Sequence, residues 1–203
     1  MIVTQITELS KSRSKVYIDQ EFAFVLYKGE LRLYHVAEGR EIAKEDYDEI
    51  MQTVLPKRAK LRAMNLLQKK TYTEKQLQDK LKEGLYPQDI IREAVDYVKS
   101  FRYLDDHRYA LDYITYHGEK KSMKRMETDL LSKGISKEVF REALSEWENA
   151  GGSQDTIAMI QTLLQKKNYQ SDSDMKEKRK IYAYLLRKGY SGEDISRAMH
   201  LET

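Results

Sequence analysis

Hydrophobic and polar positions alternate with a period of two at the start of the chain and with a helical period afterwards. Ile2, Thr4 and Ile6 alternate with Val3, Gln5 and Thr7, and the apolar runs Val16 to Ile18 and Phe22 to Leu26 follow polar breaks at Ser10 to Ser14 and Asp19 to Glu21. This pattern predicts a small β-element over residues 1 to about 27. From Glu30 onward the spacing of Leu31, Leu33 and Tyr34, then of Tyr47, Ile50, Met51 and Val54, predicts helix until Pro56 punctuates the boundary. After Pro56 the pattern predicts helices only.

This helical part repeats itself. Leu81-Lys82-Glu83-Gly84-Leu85, Leu131-Ser132-Lys133-Gly134-Ile135 and Leu186-Arg187-Lys188-Gly189-Tyr190 each place Leu three before Gly and an apolar residue after it. That arrangement is a helix end in which glycine takes the left-handed position and the next residue folds back on the helix. The glycines lie 50 and 55 residues apart, room for three short helices per unit. A second match, Leu66-Leu67-Gln68-Lys69-Lys70-Thr71-Tyr72 with Leu163-Leu164-Gln165-Lys166-Lys167-Asn168-Tyr169, recurs after 97 residues, close to two units. Apolar stripes and caps divide each unit. In the first, Ala59, Ala63, Leu66 and Leu67 form one stripe, Thr73 and Gln76 make a capping box ahead of Leu77 and Leu81, and Ile90, Ile91, Ala94, Val95 and Val98 form the third. Corresponding stripes run from Tyr109 to Trp147 and from Ile157 to Met199, with Gly151-Gly152-Ser153 as a flexible joint between them. The expected architecture is mainly α: tandem three-helix repeats over 57–103, 104–150 and 151–203, stacked in a curved array and preceded by a small β-containing amino-terminal extension over 1–56.

Charge and composition narrow the chemistry. The longest apolar runs, Phe22 to Tyr27 and Ile181 to Leu186, are far shorter than the about 20 residues of a membrane span, and the start of the chain lacks the order of a signal peptide. There is no cysteine, which removes disulfide scaffolds, thiolate metal sites and cysteine nucleophiles and suits a reducing cytoplasm. The net charge of +3 conceals segregation: Lys57 to Lys70 carries six bases and no acid, Glu38 to Glu49 carries six acids, and Glu138 to Asp155 carries five acids against Arg141 alone.

Catalysis finds little support. His35, His107, His117 and His200 are scattered, without ligand spacing or an acid–base partner, and no glycine-rich phosphate loop is present. Asp105-Asp106 reads as the start of the helix that continues at Tyr109. Of the 15 tyrosines, Tyr97, Tyr109, Tyr113 and Tyr182 fall on apolar stripes, where packing explains them better than stacking on bases. The candidate functional feature is the set of basic clusters at matching places in successive units: Lys69-Lys70 with Lys166-Lys167, and Lys124-Arg125 with Arg179-Lys180. Stacked units would align them into a stripe able to track a phosphate backbone or a nucleoprotein filament. The full candidate set is Lys57, Arg58, Lys60, Arg62, Lys69, Lys70, Lys120, Lys121, Lys124, Arg125, Lys166, Lys167, Arg179, Lys180, Arg187 and Lys188. No catalytic residue, metal ligand or cofactor is expected.

The string Tyr103-Leu104-Asp105-Asp106-His107-Arg108-Tyr109-Ala110, followed by Tyr113-Ile114 and then Leu130-Leu131-Ser132-Lys133-Gly134-Ile135, resembles the signature of the RecX family of bacterial recombination regulators over roughly residues 57 to 201. Two positions depart from it: Asp129 stands where Glu usually precedes Leu130, and Lys121-Ser122 replaces a frequent Gly-Pro. The resemblance implies tandem three-helix repeats and a non-enzymatic, cytoplasmic regulator. Such a protein binds RecA filaments on single-stranded DNA and mostly inhibits RecA ATP hydrolysis, strand exchange and co-protease activity, with roles in homologous recombination, DNA repair and the SOS response. The alternatives are a stand-alone DNA-binding protein and a helical-repeat adaptor. The third helices, Gln88 to Phe101 and Lys137 to Glu148, are neutral to acidic, unlike a recognition helix. Without a heptad seam, a monomer is the expected state.

Overall fold

A computed structural model describes residues 1–200; the last three positions of the 151–203 segment lie outside the described residues. The architecture is mainly α with a small antiparallel sheet at the amino terminus. Two compact units divide at Asp105/Asp106.

In the first unit, β1 (Val3–Ser10), β2 (Arg13–Ile18) and β3 (Glu21–Tyr27) form a meander in sequential order. Ile18 pairs with Glu21 across Asp19 and Gln20, which both take left-handed backbone, as a two-residue turn matched to the twist of the strands requires. Alternation is regular in β2, where Ser14, Val16 and Ile18 are buried, and breaks in β3, where Phe24, Val25 and Leu26 are buried in succession. After α1 (Lys28–Leu33), the chain enters α2 (Lys44–Glu49), passes through a π-helical turn at Ile50–Val54 and continues as α3 (Leu55–Leu67). Pro56 therefore ends nothing. A proline ring clashes with the carbonyl four residues back in a regular helix, and the turn that widens just before Pro56, with the Leu55 N–H donating to the Ile50 carbonyl, opens that place.

The trio is completed by α4 (Glu74–Glu83) and α5 (Gln88–Ser100). Thr73 and Gln76 form the expected capping box, each backbone N–H donating to the other's side-chain oxygen at 3.2 Å. The sheet and this trio share one core, in which Val16, Phe24 and Leu26 join Leu55, Ala59, Ala63, Leu77, Ile91 and Val98.

The second unit holds α6 (Asp106–His117), α7 (Met123–Ser132) and α8 (Lys137–Asn149), then α9 (Thr156–Lys166), α10 (Met175–Arg187) and α11 (Gly192–Met199). In every trio the first helix packs on the third: α3 on α5, α6 on α8, α9 on α11. Each trio of this unit has its own apolar core, one around Ile114, Met126, Leu130, Phe140 and Trp147, the other around Ile160, Leu164, Ile181, Leu185 and Ile195.

The repeated helix ends separate into two kinds. Gly134 and Gly189 have φ of 92° and 89° and close the expected motif, with Ile135 and Tyr190 donating to the carbonyls of Leu130 and Leu185. Gly84 differs: its φ is −76°, and Leu85 takes the left-handed position one residue later. Glycine is required there by the ring of Tyr86, which a Cβ on Gly84 would approach to 2.9 Å. Gly152 is likewise fixed by packing. The expected flexible joint instead lies against Trp147: a Cβ on Gly152 would collide with the indole at its ring junction, and one on Gly118 would come within 2.8 Å of its six-membered ring.

Gly152→Ala is therefore expected to destabilise the protein by about 1–3 kcal/mol, the usual cost of overpacking a rigid site. Thermal unfolding checks it; an unchanged midpoint would contradict the packing of Trp147.

Candidate functional site

The two trios of the second unit meet through polar groups, and that junction collects the basic residues. Ser122 is the N-cap of α7: its Oγ accepts from the Arg125 N–H at 3.2 Å and donates at 2.8 Å to the carbonyl of Lys188, which follows α10. Ser122 is buried, and Gly189 packs so close that a Cβ there would stand 2.6 Å from its Oγ. Gln154 reaches back across the same junction, its Nε2 donating to the carbonyls of Gly118 and Lys121.

Beside this seam is a cleft of about 380 Å³ lined by Lys120, Lys121, Ser122, Arg125, Leu163, Tyr184, Arg187, Lys188 and Tyr190. A neighbouring recess of about 510 Å³ shares Lys120, Leu163 and Tyr190 and adds Lys166 with Glu119 and Asp155. The floor is aromatic: Tyr190 is buried, which raises its hydroxyl pKa, and the Tyr184 ring carries Lys167 at 5.0 Å and Lys188 at 5.6 Å.

One acid organises one wall. Asp129 receives Lys121 Nζ at 2.9 Å and the Tyr113 hydroxyl at 2.8 Å on one oxygen and Arg125 Nε at 3.0 Å on the other. Lys121 also donates to the Tyr113 hydroxyl at 2.7 Å. Burial pushes the Asp129 carboxyl up, but the hydrogen bonds from Lys121 and Tyr113 and the charges of Lys121 and Arg125 outweigh it and hold the group below the usual aspartate range. Burial pulls Lys121 down, and the same partners raise it above an ordinary lysine. His117, whose ring lies 4.3 Å from that of Tyr113 at a tilt of 51°, has its pKa lowered by burial and then by the charges of Lys121 and Lys120. The two departures from the family signature thus belong to one structure: Lys121 pairs with Asp129, and Ser122 caps the helix that bears Asp129.

Of the candidate bases, the structure brings Lys120, Lys121, Arg125, Lys166, Lys167, Arg187 and Lys188 to this junction. Lys124 is exposed on the first turn of α7, and Arg179 and Lys180 are exposed on α10 without lining the cleft. The first unit is more dispersed. Arg58 serves the fold: it donates to the Val25 carbonyl at 3.0 Å, pairs with Glu30 and lies 4.7 Å over the Tyr27 ring. Lys60 pairs with Glu93 at 2.6 Å and, with Lys57, lines a shallow recess beside Leu61, Met64 and Tyr97. Arg62 and Lys69 are exposed, and Lys70 lies 4.5 Å over Tyr72. Tyr184 and Tyr190 lie outside the candidate set drawn from charge; the repeated helix end carries a signal for Tyr190, the residue after Gly189, but none for Tyr184. Among the described residues no group of three or more His, Asp or Glu could hold a metal ion, and no helix is long and apolar enough to cross a membrane.

Models of the first and third three-helix domains of RecX match residues 59–97 and 154–199. The regulatory protein RecX of Caldanaerobacter subterraneus subsp. tengcongensis is 31% identical over 99% of this chain and 100% of its own. The chain belongs to the RecX family. The RecX proteins of Clostridium acetobutylicum and Bacillus subtilis are 29% and 26% identical, over 93% and 97% of this chain and 89% and 75% of theirs. A crystal structure of regulatory protein RecX shares the fold with a TM-score of 0.63 at 21% identity over 99% of both chains. That of RecX from Lactobacillus salivarius does so at 0.59 and 24% over 72% of this chain and 96% of its own. These relatives are named as regulatory proteins, and this chain is a member of that regulatory family.

Asp129→Ala is expected to destabilise the protein by about 1–3 kcal/mol at neutral pH, because two cations and a hydroxyl lose their acceptor. The folded pKa of Asp129 lies below its unfolded value, so its contribution is present above the ordinary aspartate pKa of about 3.9 and is lost as pH falls through the folded value. Denaturant titrations should show the gap between variant and parent shrinking below pH about 4; a gap independent of pH would contradict the network.

Proposed function

We propose that the chain is a non-catalytic regulator that binds RecA filaments assembled on single-stranded DNA and lowers RecA ATP hydrolysis, strand exchange and co-protease activity. Its contact with the filament is the basic cleft of the second unit. The observation that carries this reading is the convergence of Lys120, Lys121, Arg125, Arg187 and Lys188, from two successive trios, on one cleft floored by tyrosines. Membership of the RecX family supports the RecA part of this reading.

The chemistry is electrostatic. Cations of like sign held within one cleft repel one another, and an anionic ligand that displaces their counterions relieves that repulsion. Lys121 and Arg125 are fixed in place by Asp129, whereas Lys120, Arg187 and Lys188 are exposed side chains able to reach phosphate oxygens or acidic protein groups. The exposed cations outside the cleft, Lys57, Arg62, Lys69, Lys70, Lys124, Arg179 and Lys180, extend the same attraction over the surface. Regulation of this kind requires occupancy of a filament site and no covalent step. It acts in the cytoplasm, where RecA works, and needs no metal or cofactor.

Single-stranded-DNA-dependent ATP hydrolysis by RecA, titrated with this protein, tests the reading. Inhibition should appear with the parent chain. Arg187→Glu with Lys188→Glu should raise the half-inhibiting concentration about tenfold or more at moderate salt, with thermal stability unchanged. Unchanged inhibition by that variant would remove the cleft from the interface. Tight, sequence-dependent binding to duplex DNA without RecA would favour a stand-alone DNA-binding protein instead.

A further inference from the structure

The end of α5 carries two exposed aromatic rings, backed by Tyr97, which packs against the core of the first unit. Phe101 and Tyr103 are 54% and 58% exposed, and their rings lie nearly parallel, with centroids 5.9 Å apart and planes at 18°. Tyr97 meets Phe101 edge-on at 5.1 Å, so three rings form a short ladder. Lys60 lies 5.2 Å over the Tyr97 ring, and Lys57, a turn earlier on α3, lines the adjoining recess.

The backbone that presents these rings is closed like the helix ends at Gly134 and Gly189. The N–H groups of Arg102 and Tyr103 donate to the carbonyls of Lys99 and Val98 at 2.8 and 3.0 Å, and Arg102 occupies the left-handed position at φ 55°. In this motif the residue after the left-handed position packs back on the helix. Ile135 and Tyr190 do so and are 2% and 5% exposed. Tyr103 does not: burial passes to Leu104, which is 5% exposed, and the tyrosine ring turns outward onto Phe101. An arginine, rather than a glycine, holds the left-handed position, between Phe101 and Tyr103 in the chain.

We propose that Phe101 and Tyr103, backed by Tyr97, form a stacking site for the unpaired bases of single-stranded DNA, with Lys57, Lys60 and Arg102 supplying cations for its phosphates. Rigid exposed ring faces beside cations are what such a strand requires, because every base has a face to stack and every linkage a charge to neutralise. An apolar face of a protein partner would fit the rings but not the cations beside them, Lys57 and Lys60, the second of which also pairs with Glu93. The site lies in the first unit and is distinct from the cleft. It deepens the reading above by naming a direct contact to the DNA strand, and it rests on the single-strand part of that reading.

The test needs no RecA, so its failure is separable from failure of the regulatory reading. Binding of the full chain to an oligothymidylate is compared with binding to an abasic oligonucleotide of equal length, which keeps the phosphates and removes the bases. The parent should prefer the oligothymidylate about tenfold or more. Phe101→Ala with Tyr103→Ala should abolish that preference while leaving the salt dependence unchanged. Phe101→Trp should retain the preference, and its added fluorescence should be quenched by the oligothymidylate and not by the abasic strand. No binding by the parent, equal binding to both strands, or a preference that survives the double alanine variant would overturn the proposal. Loss of RecA filament binding by that variant with an intact preference for bases would also overturn it and assign the rings to a protein contact.

Discussion

Ser122 is the constraint on which the geometry of the second unit's site depends. One buried hydroxyl closes the N-terminus of α7 and, in the same position, donates to the carbonyl at the end of α10. Because the two trios have separate apolar cores, hydrophobic burial holds each trio together while hydrogen bonds set the register between them. A polar junction of this kind is directional: Ser122, Gln154 and the close approach of Gly189 permit one arrangement, and that arrangement turns the basic residues of both trios toward one cleft. Lose the register and the cations remain on the surface but no longer line one cleft.

The electrostatics of that cleft are divided between residues that are held and residues that are free to reach. Asp129 sits behind Lys121 and Arg125 and neutralises part of their charge, which lets two cations stand side by side without unfolding α7. On the floor the Tyr184 ring face, near which Lys167 and Lys188 both lie, attracts these cations without fixing or neutralising them. The His117 pKa is lowered because burial and the neighbouring lysines disfavour another positive charge, which is the local field expressed in a titrating group.

Much of this was legible in the sequence, for physical reasons that also mark where legibility ends. The strands, the Thr73–Gln76 capping box and the helices of each repeat follow from local periodicity and local hydrogen bonds, and they lie where the pattern puts them. Gly134 and Gly189 are left-handed because their helix ends are closed locally; Gly84 has the same local sequence but answers to the ring of Tyr86. Pro56 reads as a boundary until the π-helical turn before it makes room for the ring. Arg58 reads as one base among six, yet Glu30, Val25 and Tyr27, all distant in sequence, commit it to the core of the first unit. The outward turn of Tyr103 has the same origin, since Leu104 and not the sequence spacing decides which residue is buried. Charge repeats identify candidate bases; only tertiary contacts sort those that meet from those that do not.

Amide hydrogen exchange of the full chain, measured free and bound to RecA filaments on single-stranded DNA, tests the central claim most directly. Binding through the cleft predicts slowed exchange at the start of α7, around residues 120–126, and at the end of α10, around 184–190, with little change on the outward faces of α8 and α11. Slowed exchange confined to α8 and α11, with the cleft segments unaltered in the complex, would contradict the account.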